Sequence, residues 1–220
     1  MRKVTRTAPA KINLGLDVTG TRPDGYHLLE TVFQAVSIAD TGTVELIDTP
    51  DTALTCDVAG VPCSPKNIAW KAAQRYLDAA GLTDGVQIHI EKRIPMEAGM
   101  GGGSTDGAAV LLALQELTGN ALSMDKLAEI AVSLGADVPF FLYGGTAYAA
   151  GIGEKLEKLP AFSTDCMVIA KGTAGVSTAQ AYGAIDALQN PQHPPVQELR
   201  QALRNGATAE EIAPLCGNLF

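Results

Sequence analysis

The sequence is poor in charge, with 18% Asp, Glu, Lys and Arg, and poor in aromatic side chains, with 5%. An intrinsically disordered chain needs many charges and few apolar residues, so the 46% of hydrophobic residues exclude that class. Basic residues are fewer than acidic ones: 16 Lys and Arg and 24 Asp and Glu give a formal net charge of -8. Such a chain is a poor general binder of nucleic acid, although a local basic pocket for a phosphate ligand stays open.

Cysteine is also scarce: four occur, none in CxxC spacing and none clustered with the three histidines. We therefore expect no structural metal site and no disulfide scaffold. No stretch approaches about 18 uninterrupted apolar residues, and no apolar segment follows the basic N-terminal residues. The sequence predicts no membrane partner and a cytoplasmic location, and it leaves the oligomeric state open.

Glycine is abundant instead, at 23 of 220 residues, which is typical of tight turns and close approach of the backbone to a ligand. Strand-like and helical patterns alternate along the chain. Short strand-like stretches are predicted within 4–18, over 31–38 and over 43–47, and a further strand over 86–92. Helices are predicted over 67–80, over 106–117 and from Ser123 to a stop at Gly135. An apolar run from Cys166 to Ala170 could open a second domain. The order of elements predicts an α+β fold with two lobes.

The most informative stretch is PMEAGMGGGSTDGAA, residues 95–109, in which a strand leads through four glycines into a helix. Backbone without Cβ atoms can curl around an anion, and the helix N-terminus adds partial positive charge, so a polyphosphate is the natural ligand. A Cβ at Gly102 is expected to enter the polyphosphate path. The stretch is not a Walker A motif, because no Lys follows the glycines, and it is not GxGxxG, because position 104 is Ser. The alternative interpretation is a plain flexible turn.

The same stretch resembles the central motif of the GHMP kinases. Two more stretches, APAKINLGLDVTGTRPDGYHLLETVFQ and LGADVPFFLYGGTAYAAGIGEKL, resemble the members that act on 4-diphosphocytidyl-2-C-methyl-D-erythritol, and the resemblance covers essentially all 220 residues. It implies a two-lobed GHMP-kinase fold, with residues 1–160 as the N-terminal kinase domain, residues 161–220 as a partial C-terminal domain, and the active site between the lobes. It also implies ATP-dependent phosphorylation of the substrate's 2-hydroxyl in non-mevalonate isoprenoid synthesis, with Mg²⁺ arriving with ATP.

The chain departs from the family pattern at three positions of the glycine motif. Glu97 stands where a small residue is usual, Met100 replaces Leu and Thr105 replaces Ser. A carboxylate at position 97 would repel a triphosphate unless its side chain points to solvent. The sequence also ends, at 216–220, in a stretch that resembles the one before the family's third glycine motif, so we expect an apparently truncated C-terminal lobe and weak catalysis.

Two residues are implied as catalytic. Phosphoryl transfer to a hydroxyl needs positioning, charge neutralisation and a proton acceptor. The resemblance implies that Asp137 is the proton acceptor. From the sequence alone, Asp137 could equally be the N-cap of a short helix near Pro139. Lys11 is implied as its partner, a cation that favours the ionised hydroxyl and carboxylate; the alternative is a lysine at a strand edge. Asn13, two residues on and so on the same strand face, is implied to bind the substrate.

The remaining implied residues bind the two ligands. Tyr26, His27 and Tyr182 are implied to hold cytosine by stacking and edge hydrogen bonds, although a His after a turn is more often a surface residue. Asn67 and Lys92 are implied to flank adenine, with a helix cap and a strand-end charge as alternatives, and Ser104 is a candidate Mg²⁺ ligand. The full ATP-binding set that the resemblance implies is Pro95, Met96, Glu97, Ala98, Gly99, Met100, Gly101, Gly102, Gly103, Ser104, Thr105, Asn67 and Lys92.

Two other functions compete with this interpretation. A GHMP kinase for another small alcohol, such as mevalonate or homoserine, would have no cytosine to hold, and the sequence Gly25-Tyr26-His27 argues against it. A catalytically weak or silent nucleotide-binding form would keep the glycine loop without needing both Lys11 and Asp137, and both are present.

Overall fold

The computed structural model describes residues 2–164, 166–172 and 178–220. Its strands are β1 (Lys3–Thr21), β2 (His27–Ile47), β3 (Thr52–Cys56), β4 (Gly85–Glu91), β5 (Thr146–Gly151), β6 (Lys155–Lys158) and β7 (Gly217–Asn218). Its helices are α1 (Ile68–Ala80), α2 (Gly102–Leu117), α3 (Met124–Leu134), α4 (Val138–Tyr143), α5 (Thr178–Asp186), α6 (Val196–Arg204) and α7 (Ala209–Ile212). A 3₁₀ turn, Ala213–Leu215, follows α7.

The chain forms two compact units, neither of which is continuous in sequence. The first unit contains the residues up to Ala10, then Val36–Pro95 and Met100–Tyr143, and the second contains Lys11–Ala35, Met96–Gly99 and Gly144–Phe220. Residues 144–160 belong to the second unit, in which β5, from Thr146, pairs with the first part of β2. The division into domains at residues 160 and 161 stays a prediction.

In the first unit, local signals fix the ends of the helices. Asn67 caps α1 by accepting the N–H of Ala69 on its side-chain oxygen, and Gly81 ends the helix in the left-handed region at φ 65. Ser123 caps α3 in the same way, accepting the N–H of Lys126. Helix α2 is buried around most of its circumference, because α1, α3 and α4 all pack against it. This central helix begins directly after the glycine motif.

The sheet of the first unit places β4 between two neighbours. Strand β4 pairs antiparallel with β2, from Thr41 opposite Glu91 to Ile47 opposite Gly85, and parallel with β3. Its residues alternate between buried and exposed, so that Val86, Ile88 and Ile90 face the core. The end of β4 is thereby fixed next to the point where the glycine motif starts.

In the second unit, β5 pairs antiparallel with both β2 and β6, and β7 pairs parallel with β1. The core of this unit combines residues of the strands, of α6 and of α7 with the residue that follows β6; its members are Leu14, Val32, Tyr148, Leu159, Val196, Leu199, Leu203 and Ile212. The apolar run from Cys166 to Ala170 forms no helix or strand, and its Val168 is exposed. Within the described ranges, no helix has the length and apolarity to cross a membrane.

Candidate active site

The glycine motif meets α2 without a side-chain cap. Gly101 is the N-cap of the helix, in the left-handed region at φ 72, and it has no side chain that could make a capping hydrogen bond. Gly99 is also left-handed, at φ 68, a conformation that glycine adopts without a Cβ clash. A helix of 16 residues with an N-terminus that no side chain caps suits a phosphate group.

Two neighbouring glycines of this helix have different surroundings. A Cβ at Gly102 would lie 3.2 Å from Lys92 Nζ and 3.4 Å from Ile94 Cγ2, inside the first unit. A Cβ at this position would press on the buried lysine, and the expectation that it would enter the polyphosphate path stays a prediction. A Cβ at Gly103 would lie 3.7 Å from Ile68 Cδ1, which is an ordinary contact.

The other residues of the motif differ in exposure. Pro95, Met96, Glu97 and Gly99 are exposed, Ala98 and Ser104 are half-buried, and Met100 and Thr105 are buried. Glu97 adopts a left-handed conformation, φ 53, which costs a residue with a Cβ about 1–2 kcal/mol. This is the position at which the family pattern has a small residue, so the backbone keeps a glycine-like conformation although the side chain is Glu. The exposed side chain meets the condition under which its charge is compatible with a bound triphosphate.

Both residues predicted to flank adenine have partners within the protein. Asn67 caps α1, and its side-chain N–H also donates to the carbonyl of Pro62 at 2.9 Å. Lys92 is buried, and its ammonium donates to carboxylates of Asp40 and Asp106, the latter at 2.8 Å. A contact of either side chain with a nucleotide stays a prediction.

Asp40 and Asp106 are the ionisable residues that the sequence interpretation missed. Both are buried next to Lys92. Burial raises the pKa of Asp106 to about 7, and the Lys92 ammonium only partly offsets this effect. Burial alone would lower the pKa of Lys92, but the two carboxylates outweigh it and raise that pKa. A signal was present in the sequence, because position 92 continues the inward face of β4, where a charged side chain needs partners of opposite charge.

Lys11 is held by a chain of hydrogen bonds in the second unit. Its buried ammonium donates to Asn13 Oδ1 at 2.8 Å and lies 5.0 Å from the centre of the Phe33 ring. Asn13 Nδ2 donates to Thr31 Oγ1 at 2.7 Å, and that hydroxyl donates to the carbonyl of Gly15, also at 2.7 Å. These hydrogen bonds fix the orientation of the Asn13 amide, so that its oxygen faces the lysine.

The second predicted catalytic residue, Asp137, belongs to the first unit and lies directly before α4. Its side chain is half-buried, between the end of α3 and the apolar first turn of α4. Its catalytic role and its pairing with Lys11 stay predictions.

Two of the three residues predicted to hold cytosine meet in the second unit. The rings of His27 and Tyr182 are stacked, with centroids 4.4 Å apart and an interplanar angle of 16°. His27 Nε2 is hydrogen-bonded to Asp186 Oδ1 at 2.8 Å, and Phe220 contacts the Tyr182 ring edge-to-face at 4.9 Å. Tyr26 is 61% exposed. Asp186 and Phe220 were not predicted, since both are distant in sequence from His27 and no local pattern marks them.

The arrival of Mg²⁺ together with ATP stays a prediction. Among the residues that the structure describes, no group of three or more His, Cys, Asp or Glu could hold a metal ion. Mg²⁺ commonly keeps several waters and binds substrate phosphates with one or two protein ligands, so a dedicated cage is not required. Ser104, in the first turn of α2, remains the candidate protein ligand.

The different surroundings of the glycines give a direct test of phosphate binding. We expect Gly103→Ala to leave the fold intact, because its Cβ would have room and Ala is the better helix former. It should weaken ATP binding about tenfold or more, because the phosphates would approach the backbone at this position. Calorimetry with ATP and with the cytidine substrate separately checks this, and unchanged ATP affinity would mean that Gly103 is not in contact with phosphate.

Comparison with known proteins agrees with the resemblance. The family described as GHMP kinases N terminal domain matches residues 67–145. The curated 4-diphosphocytidyl-2-C-methyl-D-erythritol kinase of Geobacter metallireducens is 48% identical over 185 residues, covering 84% of this chain and 66% of its own length. The enzyme of that name from Clostridium tetani is 41% identical over 212 residues, covering 96% of this chain and 74% of its own length.

Solved structures agree on the fold. A crystal structure of 4-(cytidine 5'-diphospho)-2C-methyl-D-erythritol kinase matches with a TM-score of 0.71 and 40% identity, over 93% of this chain and 72% of that one. A homoserine kinase from Cytophaga hutchinsonii matches with a TM-score of 0.70 but 22% identity, over 94% of this chain and 69% of that one, and shows the fold alone.

The predicted α+β fold is confirmed as that of the GHMP kinases. Within that class, the chain belongs to the family of 4-diphosphocytidyl-2-C-methyl-D-erythritol kinases. It spans 66% and 74% of the two curated relatives described above.

Proposed function

We propose that this protein transfers the γ-phosphoryl group of ATP to the 2-hydroxyl of 4-diphosphocytidyl-2-C-methyl-D-erythritol, a step of non-mevalonate isoprenoid synthesis. The observation that carries the proposal is the identity of 41–48% with kinases of that name across most of the chain. The N-terminus of α2 after the glycine motif and the stacked rings of His27 and Tyr182 support the proposal.

In this proposal ATP binds at the N-terminus of α2, where backbone N–H groups donate hydrogen bonds to the phosphate oxygens. Mg²⁺ would neutralise phosphate charge, with Ser104 as its protein ligand. Asp137 accepts the proton of the attacking hydroxyl, and the Lys11 ammonium stabilises the negative charge that develops on that oxygen. The hydrogen bonds to Asn13 hold the ammonium in one orientation, so little reorganisation is needed during transfer.

The cytidine part of the substrate is assigned to Tyr26, His27 and Tyr182. Stacking on an aromatic ring together with hydrogen bonds to the base edge is a common way to recognise one base. The Asp186 carboxylate fixes one nitrogen of His27, which leaves Nδ1 for the base. No nucleic acid or membrane partner enters this proposal, and its setting is the cytoplasm.

A coupled assay with ATP and a panel of alcohols tests the proposal. We expect turnover of the cytidine-diphosphate methylerythritol and negligible turnover of mevalonate or homoserine. A matched pair of substrates, the complete compound and the same methylerythritol phosphate without cytidine, measures the contribution of the base. Equal turnover of the two would contradict the assignment and favour a kinase for another small alcohol. ATP binding with no turnover of any substrate would favour a silent nucleotide-binding form.

A further inference from the structure

A buried group of three charged residues joins the two ends of the glycine motif. We propose that Asp40, Lys92 and Asp106, here called the charged triad, are positioning residues that hold the phosphate-binding turn of α2 in its ATP-binding geometry. The inference rests on the proposed use of this turn for ATP, and it adds Asp40 and Asp106 to the residues implied for ATP binding.

The triad is almost fully removed from solvent. The relative exposure of the side chains is 7% for Lys92, 0% for Asp40 and 5% for Asp106. The Lys92 ammonium donates one hydrogen bond to Asp40 Oδ2 and another, of 2.8 Å, to Asp106 Oδ2. Two of its three N–H donors are thus committed to carboxylates that lie on different elements.

Each carboxylate fixes one side of the motif. Asp40, on β2, accepts the backbone N–H groups of Arg93 and Ile94, the latter at 2.8 Å. These residues connect β4 to the start of the motif. Asp106 lies in the second turn of α2, on the helix that leaves the motif. Lys92 bridges the two carboxylates, so the chain entering the motif and the helix leaving it are tied to one ammonium.

The contact with Gly102 brings the triad directly under the first turn of the helix. A Cβ at this residue would lie 3.2 Å from Lys92 Nζ, closer than such contacts normally are. The turn can therefore approach the lysine because residue 102 has no side chain. A shift of the ammonium would therefore also move the backbone N–H groups next to Gly102, which are the groups proposed to bind phosphate.

Stability alone is a weak explanation for the triad. Replacing buried ion pairs by apolar residues is often neutral or stabilising, whereas removing a single partner leaves a buried charge without compensation. A group of side chains that bonds both to the segment before a ligand-binding motif and to the helix after it can hold the backbone of that motif in place. Burial raises the pKa of Asp106 to about 7, which means that placing this carboxyl inside the fold disfavours its ionised form.

The test compares ligand affinities in folded variants. Asp106→Asn keeps the size and one acceptor but removes the charge, and we expect its affinity for an ATP analogue with Mg²⁺ to fall about tenfold. Affinity for the cytidine substrate should stay within twofold, and the KM for ATP should rise more than kcat falls. The triple variant Asp40→Asn, Lys92→Met, Asp106→Asn leaves no single buried charge; it should fold and show the same selective loss.

The matched control is Tyr76→Phe, on α1, because the Tyr76 hydroxyl bonds to the C-terminal end of α2, far from the glycine motif. The Tyr76 hydroxyl donates to Gln115 Oε1 at 2.7 Å and contacts Thr118, so its loss disturbs a polar network that joins α1 to the C-terminal end of α2. We expect it to lower the unfolding temperature without changing the affinity for ATP. Equal ATP affinity of wild type and Asp106→Asn, or an equal loss in Tyr76→Phe, would overturn the positioning role. Binding is measured by calorimetry without turnover, so an ATP-binding protein that fails to phosphorylate the cytidine substrate would refute the proposed function and leave this test intact.

Discussion

Replacing Asp137 with asparagine is expected to lower kcat by about a hundredfold or more, the usual range for the loss of a general base. Asparagine keeps the size of the side chain, and it is as good a helix cap as aspartate, but it cannot accept the proton of the hydroxyl. The unfolding temperature and the affinity for ATP should therefore stay close to those of the wild type. Steady-state kinetics with the cytidine substrate, together with thermal unfolding, checks both parts.

The variant Asp137→Ala serves as the comparison, because it removes the base and any capping together. If Asp137 acts as a base, both variants lose turnover to a similar extent. If it only caps α4, Asp137→Asn should retain near-normal turnover, while Asp137→Ala should lose about 0.5–2 kcal/mol of stability. The second pattern would assign Asp137 to the structure of the helix alone.

Replacing Lys11 with methionine is expected to lower kcat to a similar degree, about a hundredfold. Methionine fills nearly the same volume in this buried position but provides no charge for the developing oxyanion. Asn13 Oδ1 would lose the hydrogen bond from the ammonium, while its amide group would keep the bond to Thr31. The measurement is kcat and KM for both substrates, and a change confined to KM would mean that Lys11 only binds.

The double variant Lys11→Met, Asp137→Asn tests whether the two residues act as one unit. Groups that act together in one step show strongly non-additive effects, so the double variant should be little slower than either single one. Independent roles would instead multiply the two losses, to about ten-thousandfold. Additive losses would therefore contradict the proposed partnership of the lysine and the aspartate.

The helices of the first unit could be predicted from local sequence because their signals are local. Asn67 and Gly81 bound α1, and Ser123 and Gly135 bound α3, as their capping chemistry indicates. The two long strands could not be predicted in the same way. The sequence suggests short strand-like segments before Val18 and after Thr31, whereas β1 has 19 residues and β2 has 21. Strand β2 continues through polar and glycine positions such as Asp40 and Gly42 because it pairs with strands that are distant in sequence.

The residues of the candidate site also divide into those that could be predicted from local sequence and those that could not. The glycine motif and the same-face pair Lys11 and Asn13 follow from spacing that can be read along the chain. The acids around Lys92, and Asp186 beside His27, come from residues 52, 14 and 159 positions away. No local pattern identifies such partners, and only the requirement that a buried charge be paired indicates that they must exist.

The pairing of β2 with β5 has a consequence for the synthesis of this protein on the ribosome. Gln34 and Thr146 bond across these strands although 112 residues separate them. At an elongation rate of about 5–20 residues per second, the first part of β2 emerges about 6–22 s before its partner. During that time the nascent chain presents an open strand edge with Val32 and Phe33, which the finished protein buries almost completely. The yield of folded protein should therefore depend on translation speed and on chaperones that bind this segment early.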